Sequence, residues 1–295
     1  TIRELVKIVN DIQEKTGEDF IRMEMGVPGL DPTFVGTEAE MIALRKGVAS
    51  KYPNIEGIPS LKQEAARFIK LFLDVDLDPV HCVPTVGSMM GGMAAFMVVN
   101  RSDRNRTGTL FLDPGFPVQK QQCLVLGHDY GSFDLYDFRG KKLRGKIREE
   151  IEKGQYSSIL YSNPNNPSWI CLNEEELRII GEVSREFDVT VIEDLAYFGM
   201  DFRKDLSRPG EPPFQPTVAR YTDNYLLLIS SSKAFSYAGQ RIGMMVIAPA
   251  LYERRYPDLK RYYTSEKFGH AMIYGSLYAL SAGASHTAQH ALAAI

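Results

Sequence analysis

Residues 230–243, SSSKAFSYAGQRIG, close an apolar run at 225–229 with three serines, a lysine, several small residues and an arginine. Small residues at this density let the backbone approach a ligand closely. A lysine just past a buried strand loses part of its hydration, which lowers its pKa and leaves neutral amine to attack an aldehyde. Arg241, eight positions after Lys233, offers a planar fork suited to phosphate. Taken singly, Lys233 and Arg241 read equally well as surface charges in a loop, and the rest of the chain has to separate the two readings.

Upstream of this stretch, from about residue 80, short apolar runs alternate with amphipathic segments, the pattern of an α/β sheet. The expected strands are 80–86, 109–113, 157–162, 189–193, 225–229 and 243–248. Helix-like stretches fall between them at 88–99, 117–126, 143–153 and 174–187, the last with Asn173 and Glu176 spaced as a capping box. The order predicts a mostly parallel sheet. Residues 60–73 carry Ser60 and Gln63 at the same capping-box spacing and an apolar i, i+3, i+4 face, so a helix is expected before the sheet. Pro and Gly cluster at 207–216, SRPGEPPFQP, which reads as an exposed loop.

A chain of 295 residues with 44% hydrophobic content can bury a large core. Lys plus Arg total 34 against 37 for Asp plus Glu, a net charge of −3, and no basic run forms a stripe for phosphate backbones, so no nucleic-acid partner is expected. The weakly polar stretch Ser88 to Val99 is too short to span a bilayer and the chain opens without a basic-then-apolar leader, from which no membrane association and a cytoplasmic location are expected. Cys82, Cys123 and Cys171 lie far apart and read as reduced core residues.

Four further strand ends carry candidate chemistry. In 189–197, VTVIEDLAY, an apolar strand runs into Glu193, Asp194 and Tyr197. Carboxylates at a strand's carboxyl end sit where α/β sheets bind ligands. An aspartate facing a pyridine nitrogen keeps it protonated and makes the ring an electron sink, with Tyr197 able to bond a ring hydroxyl. The plain alternative makes Asp194 a helix N-cap. In 161–169, YSNPNNPSW, the Asn and Pro residues read as a turn or as an amide set against a ring oxygen and a substrate carboxylate. In 84–92, PTVGSMMGG, a strand passes through Gly87 and Ser88 into a helix whose first free N–H groups form an anion site, although many αβ junctions look alike. Phe116, in DPGFP, follows another strand end and can stack on a planar ring or belong to the core.

Together these strand ends resemble one family, the class I and II aminotransferases of fold type I, which use pyridoxal 5'-phosphate. The resemblance runs from about Glu24 to the end and keeps the family's order: glycine-rich phosphate turn, stacking aromatic, NPxNP, D-x-A-Y, SxSK, then arginine. It implies an α/β fold, a mostly parallel sheet with helices on both faces plus part of a smaller domain. By the same resemblance Lys233 is the lysine carrying the cofactor as a Schiff base, Asp194 faces the pyridine nitrogen, Asn166 and Tyr197 face the ring hydroxyl, and Phe116 stacks on the ring. Phosphate binding falls to Ser230 and Arg241 with the backbone of Gly87, Ser88 and Met89. Tyr52 resembles the tyrosine that reaches the neighbouring subunit's phosphate, which implies a homodimer, and 26–29, GVPG, resembles the loop closing over substrate, with Val27 and Gly29 joining Asn166 there.

The implied reaction is a ping-pong transfer of an amino group from an amino acid to a 2-oxo acid, with Lys233 moving the Cα proton. A C–S β-lyase on the same fold would use the same residues, and a non-catalytic regulatory relative would carry an added basic DNA-binding module that is not seen in the sequence. A dinucleotide-binding domain would need a G-x-G-x-x-G spacing that Gly87, Gly91 and Gly92 lack. No metal site is expected, since His81, His128 and His270 stand apart and His286 with His290 has no HExxH glutamate.

Two departures from the family pattern are visible. Where relatives usually have Thr-Gly after NPxNP, this chain has Ser168 and Trp169, and Ser231 and Tyr237 are more polar than the residues usual beside the lysine. The expected domain organisation is an N-terminal segment and part of a small domain at 1–50 and a large cofactor-binding domain at 51–295. The rest of the small domain, with the arginine that grips the substrate's α-carboxylate, is expected beyond Ile295.

Overall fold

The computed structural model describes residues 1–295, and the chain divides into two units, Thr1–Asp31 and Pro32–Ile295. The first unit holds helix α1 (Ile2–Thr16). Thr1 and Glu4 close a reciprocal capping box at its start, and Gly17, at φ +73°, ends it in the left-handed region. Ile2, Leu5, Ile8 and Ile12 along this helix are exposed.

The second unit begins with α2 (Phe34–Arg45) and α3 (Pro59–Leu73). The capping box expected from Ser60 and Gln63 does not form. Pro59 takes the first helical position and Ile58 the N-cap, without a side-chain bond. Proline suits that place because its φ is already helical and its missing N–H would have had no partner.

Seven strands follow: β1 (Cys82–Thr85), β2 (Gly108–Asp113), β3 (Tyr130–Asp134), β4 (Tyr156–Ser162), β5 (Thr190–Leu195), β6 (Tyr225–Ser230) and β7 (Gly243–Ile247). They form one sheet in the order β1-β7-β6-β5-β4-β2-β3. β7 is antiparallel to both β1 and β6, and every other pair is parallel. The mostly parallel sheet expected from the sequence is present. Because β1 and β6 both run against β7, they point the same way as β5, β4 and β2. The carboxyl ends of these strands therefore share one edge, the place where open α/β sheets gather ligands.

β5, β6 and β7 are buried at every residue. Successive side chains of a strand point to opposite faces, so both faces are covered. Helix α4 (Gly87–Val99) packs on β1, β7, β6 and β5. It lies close because Gly91 has no side chain; a Cβ there would stand 3.1 Å from Leu228 Cδ2. Helix α5 (Pro117–Val125) packs against α4, while α6 (Lys142–Lys153) and α7 (Glu174–Phe187) pack against each other. The Asn173–Glu176 capping box forms as expected, and Arg139 forks onto the same Glu176 at 2.5 and 2.7 Å.

Two expectations need correction in part. The segment 207–216 is exposed from residue 207 to 213, as expected, and is buried only at its end, at Gln215 and Pro216. The N–H of Gly210 donates to Leu71 O at 2.8 Å and that of Gln215 to Phe72 O at 2.9 Å, which draws the segment along the end of α3. Cys82 and Cys123 are buried free thiols, whereas Cys171, the third free thiol, is only half-buried because it sits in the irregular stretch before α7. No helix is long and apolar enough to cross a membrane.

Candidate active site

At one end of the shared edge, β1 finishes at Thr85 and the chain turns through Gly87, at φ +68°, into α4. The first N–H groups of that helix have no partner within it and carry the positive end of its dipole. Arg241 reaches the same turn: a Cβ on Gly87 would lie 2.7 Å from Arg241 Nη2. Gly243 completes the approach, because a Cβ there would lie 3.1 Å from Ser88 N and 2.8 Å from Ile229 O. In the sheet register Thr85 and Ser230 both stand opposite Gly243. Ser230 is buried, and its Oγ accepts from the Ser232 N–H at 3.1 Å. Thr85 Oγ1 is buried without a hydrogen-bond partner. Backbone donors, a guanidinium and two hydroxyls thus meet around two glycines, donor chemistry suited to an anion such as phosphate.

The neighbouring strands supply the rest. Asp194 stands at the end of β5, opposite Ser162 of β4 and Leu228 of β6. Its Oδ1 accepts from the Ala196 N–H at 3.0 Å, a bond that closes a turn; no helix starts here, so the N-cap alternative does not hold. Its Oδ2 accepts from Gln119 Nε2 of α5 at 2.8 Å. Burial pushes the Asp194 carboxyl up to about 6, against the two donors, which favour the ionised form. A cationic ring N–H set before it would favour the carboxylate further.

Lys233 lies three residues past the end of β6 and is half-buried. Its Nζ stands 5.7 Å from the centre of the Tyr197 ring. Burial lowers the Lys233 pKa, the direction needed for a neutral amine. Burial, and then the charge of Asp194, raise the Tyr197 phenol, so Tyr197 and Asp194 lie within electrostatic reach of each other. Asn166, after β4, is half-buried, and its backbone N–H is held by Ser162 Oγ at 3.0 Å. Phe116, the half-buried N-cap of α5, stands one turn before Gln119.

These placements bring Gly87, Ser88, Ser230, Arg241, Lys233, Asp194, Tyr197, Asn166 and Phe116 to one edge of one sheet. Met89, in the first turn of α4, is partly exposed. Tyr52 is 95% exposed and takes no part in the hydrogen bonds of this edge. Val27 and Gly29 belong to the unit Thr1–Asp31, in an irregular and exposed stretch.

Three contributors have contacts that the sequence does not give: it does not single out Gln119, and it names Glu193 and Trp169 without their partners. Gln119 is one; its only signal is its position one helical turn after Phe116. Glu193 is another, fully buried on the face of β5 opposite Asp194. It accepts from Tyr161 OH at 3.2 Å, Thr217 Oγ1 at 2.5 Å and the Val218 N–H at 3.1 Å, yet burial still pushes it up to about 7. Trp169 is the third, packed edge-on against Tyr197 with ring centres 5.3 Å apart. No group of three or more His, Cys, Asp or Glu side chains is placed to hold a metal ion.

Comparison with known proteins gives the family and the fold. The family model "Aminotransferase class I and II" matches residues 18–290. Glutamate-pyruvate aminotransferase AlaC of Escherichia coli is 28% identical over 238 residues, 79% of this chain and 55% of the relative. A probable aspartate aminotransferase of Methanocaldococcus jannaschii is 23% identical over 244 residues, 82% of this chain and 61% of the relative. The chain therefore spans between about half and three-fifths of the length of these relatives. Among solved structures, alanine aminotransferase from Pyrococcus furiosus superposes with a TM-score of 0.80 at 20% identity, covering 99% of this chain and 69% of that one. Aspartate aminotransferase from Thermus thermophilus with maleate superposes at 0.78 and 18% identity, covering 100% and 69%. These superpositions show the fold.

Proposed function

The chain belongs to the class I and II aminotransferases, and from that premise we propose that its sheet edge moves an amino group between an amino acid and a 2-oxo acid using pyridoxal 5'-phosphate. The observation that carries the proposal is the placement of a half-buried Lys233 over the Tyr197 ring, with the buried Asp194 on the adjacent strand and the glycine-lined Arg241 cradle beyond it.

The residues fit that cofactor at both of its polar ends. Arg241, Ser230 and the free N–H groups of Gly87, Ser88 and Met89 hold the phosphate, and the orphaned Thr85 hydroxyl beside them is a further donor. Asp194 holds the proton of the pyridine nitrogen, its position fixed by Ala196 and Gln119. Tyr197 and Asn166 orient the ring hydroxyl, and Phe116 covers the ring. Once bound, the cofactor supplies an electron-withdrawing ring that stabilises the carbanion left when an amino acid loses its Cα proton. Lys233 would hold the cofactor through its amine, and once a substrate amine freed it, its neutral Nζ would take the Cα proton and hand it to the cofactor's carbon within the same half-reaction.

In this reading the enzyme is a cytoplasmic homodimer. Tyr52, almost wholly exposed on its own chain, donates to the phosphate held by the second subunit. Three free thiols are in keeping with a reducing compartment. The test is a half-reaction: the cofactor-loaded protein mixed with alanine yields pyruvate and the aminated cofactor, and 2-oxoglutarate reverses the change. Release of ammonia without amino transfer would contradict the proposal.

A further inference from the structure

Trp169 sits at φ +58°, a backbone conformation that favours glycine and is unfavourable for a bulky residue. The turn around it is firmly built. The Trp169 N–H donates to Asn165 O at 2.9 Å, Ser168 Oγ donates to Asn165 Oδ1 at 2.6 Å, and Asn165 Nδ2 donates to Pro114 O at 2.7 Å. Core packing does not account for a tryptophan here, since 40% of it is exposed. Its ring instead stands edge-on to Tyr197 and stacks on Phe202 at 5.9 Å with only 16° between the planes. Phe202 is itself 80% exposed. The indole and the Lys233 amine approach the same Tyr197 ring, with ring centres 5.3 Å apart and Nζ 5.7 Å from the ring centre, so one aromatic ring links the pair to the reacting group.

We propose that Trp169 and Phe202, with the edge of Tyr197, form an aromatic wall that receives the substrate side chain and selects donors with aromatic or large apolar side chains. The inference rests on the aminotransferase reading and specifies its substrate class. Aromatic faces left in water gain contact area and favourable ring geometry from such a side chain. The neighbouring cation does not select acidic donors: Arg203 is forked onto the buried Asp201 at 2.7 and 2.9 Å, so its charge is already balanced.

The chain has a single tryptophan, so its fluorescence reports on this wall alone. The cofactor-loaded protein is titrated with 3-phenylpropionate and, separately, with propionate. The expected result is a saturable change in Trp169 emission with the first and not the second, and a Kd for 3-phenylpropionate raised roughly tenfold in Phe202→Ala and, by calorimetry, in Trp169→Gly. Glycine suits the backbone at this position, so Trp169→Gly is expected to fold. In parallel, the ratio of kcat/KM for phenylalanine over alanine is compared between the natural protein and Trp169→Gly. A fall of about tenfold, largely restored in Trp169→Phe, supports the wall. Equal responses to the two acids, or a ratio that does not move, overturns it. Absence of amino transfer from any donor would instead overturn the aminotransferase reading, and the titration would still decide whether the wall binds aromatic carboxylates.

Discussion

Gln119 donates its side-chain amide to Asp194 Oδ2 across 2.8 Å, and both side chains are buried. The bond comes from a helix that starts at the end of β2 and lands on a carboxylate at the end of β5, so it fixes the position of Asp194 and biases its proton. Replacing Gln119 by Leu removes a donor that favours the carboxylate. The Asp194 midpoint should then rise above its value of about 6, by roughly one unit. Carboxyl-carbon NMR of the cofactor-free protein measures this directly, and an unmoved midpoint would show that Gln119 does not tune the carboxylate.

Changing Asp194 itself to Asn leaves a group of the same shape that cannot hold a pyridine nitrogen protonated. Cofactor should remain bound while the half-reaction slows by several orders of magnitude. Stopped-flow rates near those of the natural protein would remove Asp194 from the mechanism.

Gly87→Ala tests the phosphate cradle. The φ of +68° makes any side chain strained by roughly 1–3 kcal/mol. The new Cβ would also meet Arg241 Nη2 at 2.7 Å. The guanidinium is the flexible partner and must move away, so a lowered melting temperature should accompany a loss of cofactor affinity of about tenfold or more. Equilibrium dialysis showing unchanged affinity would separate the turn from phosphate binding.

Glu193 should shape the pH dependence of stability. Its folded pKa, about 7, lies above the ordinary carboxyl value of 4.5 because burial favours the neutral form. The folded state therefore binds more protons than the unfolded state between these values. The corresponding stability is fully present below the unfolded pKa and is lost as pH rises through 7. Asp194, raised to about 6, acts in the same direction over a lower window. Thermal melts of the cofactor-free protein from pH 5 to 8 should decline with pH. In Glu193→Gln the baseline is lower, because the amide nitrogen that takes the place of Oε1 cannot accept from Tyr161 OH, but the slope is flatter by on the order of 1–3 kcal/mol across the range. An unchanged slope would mean that Glu193 is ionised throughout.

Much of the frame is legible along the chain. Asn173 and Glu176 signal the start of α7 through a purely local exchange of hydrogen bonds, and the apolar runs before Asp194 and Lys233 place those residues at strand ends. What the chain hides is mostly non-local. β3 has Phe133 as its only buried residue, so it carries no apolar run to announce it. Gln119 looks like one polar residue of an amphipathic helix until the sheet sets Asp194 opposite it. Glu193 and Asp194 are adjacent in sequence, yet the strand's alternation sends one to the cofactor side and the other into a buried cluster with Tyr161 and Thr217. Ser60 and Gln63 show the reverse failure, a local signal overridden by Pro59 one residue earlier.

The central claim is that Lys233 carries the cofactor. The protein loaded with pyridoxal phosphate is reduced with borohydride, digested and mapped by mass. A single modified peptide should appear, with the cofactor on Lys233, and Lys233→Ala should give none. A stable cofactor adduct on another lysine, or undiminished labelling of Lys233→Ala, would contradict the account.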